Sequence, residues 1–398
     1  MKTIILLSLI ALSLVATTLE ALVDAALTDN PSLEAMQTKV TASQETVALA
    51  GNFDNPIMGV AINAIHPNDI SNRSIERMQS TALTLSQRIP FFGKRSEKVS
   101  AAKAKNRELD DRLEQARAVL AAAVRSEAYA LWNVQKLLQI ETETAALMRH
   151  NADLFEGYSA TASKAHMGIM AAELALSNSA MVQERLREAV AERRARLSYL
   201  CGITVETLEP DPTIASLPDM AVLRQRLESN YALKASTAAV EEKKAQHAYE
   251  ALQHYSDPTL QVGYFQRQKF ENYISVSLSF ALPVYGSEDA KEQIARQKLL
   301  EQEYTHSDLQ RKLQSDFDTA AARLQSSYER YKILSDESLP KLEHMFELAS
   351  ASVSTGDDLE RYIGLIERKL MLEKQRVSAI AEFHTALATL NALTGVIR

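Results

Sequence analysis

The second half of this sequence restates the first at a fixed distance, and that repeat limits the fold more than any single motif. Ile89-Pro90-Phe91-Phe92-Gly93 answers Leu282-Pro283-Val284-Tyr285-Gly286 at an offset of 193. Leu200-Cys201-Gly202-Ile203 answers Leu393-Thr394-Gly395-Val396 at the same offset. A constant offset over more than a hundred residues means that no net insertion separates the landmarks. Rigid paired helices demand this, because one unmatched residue would rotate an apolar face out of its seam. Earlier in each half Asn55-Pro56 answers Asp257-Pro258 at an offset of 202, and the extra residues fall in Ala64 to Met78. His66-Pro67-Asn68-Asp69 and Ser71-Asn72-Arg73 read as a loop there.

The prolines of Glu209-Pro210-Asp211-Pro212 through Leu217-Pro218 mark a linker, 209-218, between repeat 1 (17-208) and repeat 2 (219-398). Lys2, the uncharged apolar run Ile4 to Val15, and the small residues Ala16, Thr17 and Thr18 predict a secretory signal peptide over 1-16. That run is shorter than the roughly 20 residues a membrane-spanning helix needs. No later segment reaches 18 consecutive apolar residues, so entry into a membrane requires a β-barrel. A net charge of -7 argues against a nucleic-acid partner, which calls for clustered basic residues. The lone Cys201 has no intramolecular disulfide partner and reads as a small buried side chain.

With 11 Gly, 10 Pro and 6% aromatics in 398 residues, the composition is that of long helices. Each repeat nevertheless opens with strands. Ile274-Ser275-Val276-Ser277-Leu278-Ser279-Phe280 alternates apolar and hydroxyl residues without a break, so one face suits hydrocarbon and the other water. Thr81 to Gln87 puts Leu83 and Leu85 on one face; the partner strands are Ile57 to Asn63 and Thr259 to Phe265. Two hairpins, 56-88 and 258-282, follow. The expected barrel wall is Leu83, Leu85, Ile274, Val276, Leu278 and Phe280.

After each Pro-x-x-Gly the period turns helical. Leu109, Leu113, Ala116, Leu120, Ala123, Ala130, Val134 and Leu137 step by fours and threes, with Glu127 off the pattern. Leu309, Leu313, Phe317, Ala320, Leu324 and Tyr331 do the same in repeat 2. Long helices are predicted over 94-155 and 288-350, each about 60 residues or roughly 90 Å. Second helices follow over 165-200 and 359-393, with turns at Glu156 to Lys164 and Ser350 to Asp358, where Gly356 marks the break. Pro340 predicts a kink.

Four strands cannot close a barrel, and open edges cannot stand in lipid. Two copies give eight strands around a filled interior. Three give twelve around a lumen, and a homotrimer is the simplest closed form. The fold class expected is mainly α with a small β part: long helical hairpins forming an α-barrel, plus four strands per chain in a trimeric 12-stranded outer-membrane β-barrel.

The two-copy plan, Asn30-Pro31-Ser32-Leu33, Ser86-Gln87-Arg88-Ile89-Pro90-Phe91-Phe92-Gly93-Lys94-Arg95 and Val276-Ser277-Leu278-Ser279-Phe280-Ala281-Leu282-Pro283 resemble the TolC-type outer-membrane efflux proteins over nearly the whole mature chain. The Ile-Pro-x-x-Gly-Lys-Arg stretch is most similar to the heavy-metal branch of CzcC- and CusC-like proteins. The resemblance implies a passive duct for small molecules, metal cations or secreted polypeptides. Its implied partners are a periplasmic adaptor, an inner-membrane pump of RND type and outer-membrane lipid. It also implies gating at the periplasmic helix tips. The family's aspartates six and nine residues beyond the tip glycine fall, counting from Gly356, on Tyr362 and Leu365. The nearest acids are Asp357, Asp358 and Glu360 instead, and the repeat offset sets Lys164 in the place of Asp357. An adaptor is one competing reading, against which stand two helical hairpins and little other β structure; a structural periplasmic coiled coil is another, and the serine-alternating strands speak against it.

His166-Met167 with Met170, and His344-Met345, are side chains that soft metals accept, yet no His-x-x-x-His or paired-cysteine spacing accompanies them, so no metal site is expected. No nucleophile elbow or phosphate-binding glycine loop occurs, so neither enzyme activity nor a cofactor is expected.

Overall fold

A computed structural model describes residues 18–66, 68–158, 163–205, 211–352 and 356–397. The expected signal peptide, 1-16, lies outside the described residues. In chain order the elements are α1 (Leu19–Thr28), α2 (Pro31–Ala50), β1 (Ile57–Asn63), β2 (Ser80–Arg88), α3 (Lys94–Tyr158), α4 (Ser163–Cys201), α5 (Met220–Arg226), α6 (Tyr231–Ala251), β3 (Thr259–Gln266), β4 (Tyr273–Ser279), α7 (Ser287–Lys332), a π-helical turn (Ile333–Ser338), α8 (Leu339–Ser352) and α9 (Gly356–Leu393). The chain forms two compact units, one of residues 35–113 and 231–311, the other of the remaining segments.

The first of these units holds one antiparallel sheet in the order β1-β2-β3-β4. The sequence suggests two separate hairpins; instead β2 pairs with β3, Thr84 lying opposite Gly263. Thr84 is the reason the strands fit there. A Cβ on Gly59 would stand 2.8 Å from the Thr84 hydroxyl, and one on Gly263 3.2 Å from its methyl, so two glycines flank one β-branched residue. The hairpins themselves share a register: Ile57 opposes Ser86 and Thr259 opposes Ser279, which are the same pair under the offsets of 202 and 193. Phe280 falls just beyond the end of β4, a correction to its place in the expected wall strand.

In the other unit Leu22, Val23 and Ala26 of α1 pack with Ala121, Val124, Ala128, Leu131 and Trp132 of α3, Val190 and Leu197 of α4, and Val377 and Ala381 of α9. The buried stripe of α3 is thus alanine-rich and offset from the expected row. Of that row only Leu113 is buried; Leu109, Ala116, Leu120, Ala123, Ala130, Val134 and Leu137 are half-exposed. Small side chains mark the closest helix approach, and the longer ones flank it. Glu127, off the apolar pattern, is buried and paired with Arg193 and Arg196, each at 3.0 Å. In α7 four of the predicted row, Leu313, Phe317, Ala320 and Leu324, are buried, and Leu309 and Tyr331 are half-exposed.

Helices α2 and α6 are absent from the sequence reading, and one motif places both. Asn30 and Asn230 stand immediately before them. The Asn30 amide donates to the Leu200 carbonyl at 3.5 Å, and the Asn230 amide donates to the Leu393 carbonyl at 2.7 Å. Each repeat therefore ties its entering helix to the last turn of its final helix. Gly202 and Gly395 follow those turns with φ of 70° and 72°, the left-handed ends that stop a helix. Asn230 is 4% exposed, so Asn230→Ala removes a buried donor from the partly buried Leu393 carbonyl and is expected to cost ~1–3 kcal/mol. Asn30→Ala, at a longer and wetter contact, should cost about 1 kcal/mol or less, and thermal unfolding of the two variants checks the order.

Where the sequence predicts a kink at Pro340, a π-helical turn, Ile333–Ser338, ends two residues before the proline. Pro340 has no N–H to return to the preceding turn, and a π-turn absorbs the lost bond. The helix boundaries also move: α9 begins at Gly356, three residues before the expected 359, and Lys164 lies inside the first turn of α4. Residues 209-218, expected as a plain linker, hold Asp211 against the helices; its carboxylate accepts from Trp132 Nε1 and Lys136 Nζ, both at 2.9 Å.

Candidate functional site

One face of the sheet is apolar across all four strands. Opposed residues share a face, and Met58, Leu85, Val262 and Val276 form one such row, Val60, Leu83, Tyr264 and Ile274 the next. None of these side chains is covered; exposure runs from 43% at Val262 to 71% at Val60, with Leu278 and Phe280 near 60%. The opposite face is mixed: Ile57, Ser86, Gln261 and Ser277 form one row, Gly59, Thr84, Gly263 and Ser275 the next, and Ala61, Ala82, Phe265 and Tyr273 the one beyond. A continuous apolar face left open by the fold marks a surface that meets another apolar phase. The expected wall residues Leu83, Leu85, Ile274, Val276 and Leu278 therefore stand together on it.

Below the strands a polar junction fixes where sheet becomes helix. Gly93, with φ of 84°, makes the turn that ends β2 and begins α3. The next residue, Lys94, is 3% exposed and points its ammonium at Asp257, 2.8 Å away, while also donating to the Tyr255 carbonyl. Asp257 accepts further from Arg88 at 2.7 Å and from the Phe91 N–H at 3.1 Å. Burial alone would raise the Asp257 pKa; the bonds from Lys94, Phe91 and Arg88 outweigh it and hold the carboxyl below its ordinary value. The Lys94 to Asp257 pair was legible as the two ends of repeated motifs, Pro-x-x-Gly-Lys and Asp-Pro, but not as partners. A second cluster that sequence spacing did not reveal joins His254 Nε2 to Glu292 at 2.9 Å, with His247 3.9 Å from the same carboxylate.

At the tips the connecting residues 159–162 and 353–355 lie outside the described residues, as do the side chains of Lys164, Asp357, Asp358 and Tyr362. A contact between Lys164 and Asp357 or Asp358, which their opposite charges would favour, thus falls outside the described side chains. Leu365, one of the two positions where the resemblance implies an acid, is buried beside Ile366. Gly356 is the first residue of α9. Of the soft-metal candidates, the side chains of His166 and Met167 lie outside the described residues, Met170 and Met345 are exposed, and His344 lies 3.8 Å from Glu347. Among the described residues no three His, Cys, Asp or Glu side chains gather as metal ligands, and no helix is long and apolar enough to cross a membrane.

This arrangement, a sheet with one open apolar face set among very long helices, is found in solved outer-membrane channels. VceC of Vibrio cholerae superposes with a TM-score of 0.77 at 15% identity, covering 95% of this chain and 96% of that one. The open state of the MtrE channel of Neisseria gonorrhoeae gives 0.77 at 14%, covering 95% and 88%. CusC gives 0.75 at 14%, covering 95% and 92%. CusC is no nearer than the other two, so the likeness defines the fold and not a branch. The fold is that of an outer-membrane efflux channel protomer. Residues 22–202 match the family model described as outer membrane efflux protein. No curated protein sequence matches the chain.

Proposed function

We propose that this protein is the outer-membrane duct of a tripartite efflux system. It works as a homotrimer and passes small molecules or metal cations outward without chemistry of its own. The observation that carries this reading is the uncovered apolar face running through β1 to β4, backed by a face with serine, threonine and glycine across its middle and Ile57, Phe265 and Tyr273 toward its ends. A soluble adaptor or a periplasmic coiled coil has no use for such a face. In lipid it is the surface that hydrocarbon covers, and the hydroxyl face then lines water. Three copies of a four-stranded sheet supply twelve strands, enough for a lumen. The outer membrane is the location, and the helices reach the periplasm, where an adaptor and an inner-membrane pump of RND type engage them. The helix tips around Lys164, Gly356, Asp357 and Asp358 form the gate.

Purified protein in planar bilayers tests this. Expected are long-lived unitary conductance steps from a species that runs as a trimer on unheated gels and as a monomer after heating. Lys164→Glu, which makes both tips anionic, should raise the open fraction. A soluble monomer without conductance would overturn the duct, and unchanged gating in Lys164→Glu would remove the tip charges from the mechanism.

A further inference from the structure

The sheet ends in two open edges, since β1 pairs only with β2 and β4 only with β3 among the described residues. Their backbone N–H and C=O groups require partners in lipid. Which strand meets which, and at what register, follows from the repeat. Under the offsets 193 for β2 to β4 and 202 for β3 to β1, the pairing within one hairpin reproduces the pairing within the other residue for residue. The joint between the repeats, β2 to β3, then has a counterpart that the single chain leaves unmade: β4 to the β1 of another copy.

Carrying the observed β2 to β3 register across by these offsets gives the missing joint. Thr84 opposite Gly263 becomes Ser277 opposite Ala61, and Leu85 opposite Val262 becomes Leu278 opposite Val60. We infer that a second copy of this chain adds its β1 antiparallel to β4 with Ser277 facing Ala61, Ser275 facing Asn63 and Leu278 facing Val60. This rests on the reading above that the sheet closes through further copies.

One further feature fits this register. Its parity keeps the apolar face continuous across the seam, bringing Val276 and Leu278, 67% and 61% exposed, beside Ile62 and Val60, 57% and 71% exposed. A slip of one residue would set each of these against the hydroxyl face. Among the registers that keep parity, this one repeats between copies the stagger that β2 and β3 show within the chain. The junction below the seam differs in one respect. The positions equivalent to Lys94 and Asp257 are Ser287 and Asn55, so the seam between copies lacks the ion pair that locks the joint within a chain.

Disulfide trapping in native outer membranes tests the register. Cys201, the one native cysteine, is buried with its thiol pKa pushed up to about 11, so it stays out of the oxidation. Ala61→Cys with Ser277→Cys, and Asn63→Cys with Ser275→Cys, each place two cysteines directly opposite across the seam. Ala61→Cys with Ser275→Cys or with Ser279→Cys shifts the partner by two residues, to about 8 Å between Cα atoms, beyond disulfide reach. On mild oxidation both in-register pairs should form covalent dimers and larger species at least ~5-fold faster than either shifted pair. A shifted pair that links as fast as these overturns the register. So does the absence of linking in protein that still sediments as an oligomer. A membrane-inserted monomer with no linking in any pair would overturn the closure reading itself.

Discussion

Asp257→Ala is expected to destabilise the protein by about 3–5 kcal/mol, because it leaves the ammonium of Lys94, 3% exposed, without its counter-charge. The Tyr255 carbonyl still accepts from Lys94 but carries no full charge. Paired with Lys94→Met, the loss should fall well below the sum of the two single losses, since the second change removes the stranded charge. Denaturant unfolding of the four proteins measures the cycle, and additive losses would dissolve the coupling. The same site predicts a pH dependence. The folded pKa of Asp257 lies below its unfolded value. Its contribution is therefore complete above the ordinary carboxylate pKa near ~3.9 and is lost as pH falls through the lowered folded value. The stability gap between wild type and Asp257→Ala should stay constant from about pH 8 to pH 5 and close only below about pH 4.

Val276→Arg carries the other large effect. Val276 sits in the middle of β4 with its side chain 67% exposed on the apolar face. If hydrocarbon covers that face, an arginine there costs ~2–4 kcal/mol at the bilayer midplane. Ser277→Arg, one residue along and on the hydroxyl face, should cost under about 1 kcal/mol because the guanidinium stays hydrated. Urea unfolding of the protein in lipid vesicles reads the difference. Equal tolerance at the two positions would mean that both faces meet water.

The features most legible in the sequence were those with a short period or a fixed spacing. Alternation at Ile274 to Ser279 placed β4, and the row Leu313, Phe317, Ala320 and Leu324 named the buried stripe of α7. The glycines at 93, 202, 286 and 395, which carried the repeat, all have φ between 70° and 84°, so the landmarks are left-handed turns. Helices α2 and α6 were not legible because their apolar periodicity is weak. Helix α6 buries alanines, Ser236 and Glu242 rather than leucines. The stripe of α3 was displaced for a related reason, since leucine spacing marks the flanks when alanine makes the contact. Asp257 was visible only as the residue before a proline; its role depends on the β2 to β3 pairing, which no local pattern encodes.

The π-turn at Ile333–Ser338 leaves a trace in the spacing of buried residues, for Leu334 and Leu339 are five apart where the preceding turns step by three and four. One surplus residue in a turn resets the helical phase by roughly 100°. Beyond it, α8 presents residues one place later than strict repetition of α3 would. Two halves that correspond residue for residue at their landmarks thus arrive at their far ends rotated differently. In the trimer proposed above, the helix surfaces before the turn are near-equivalent in the two repeats and those after it are not.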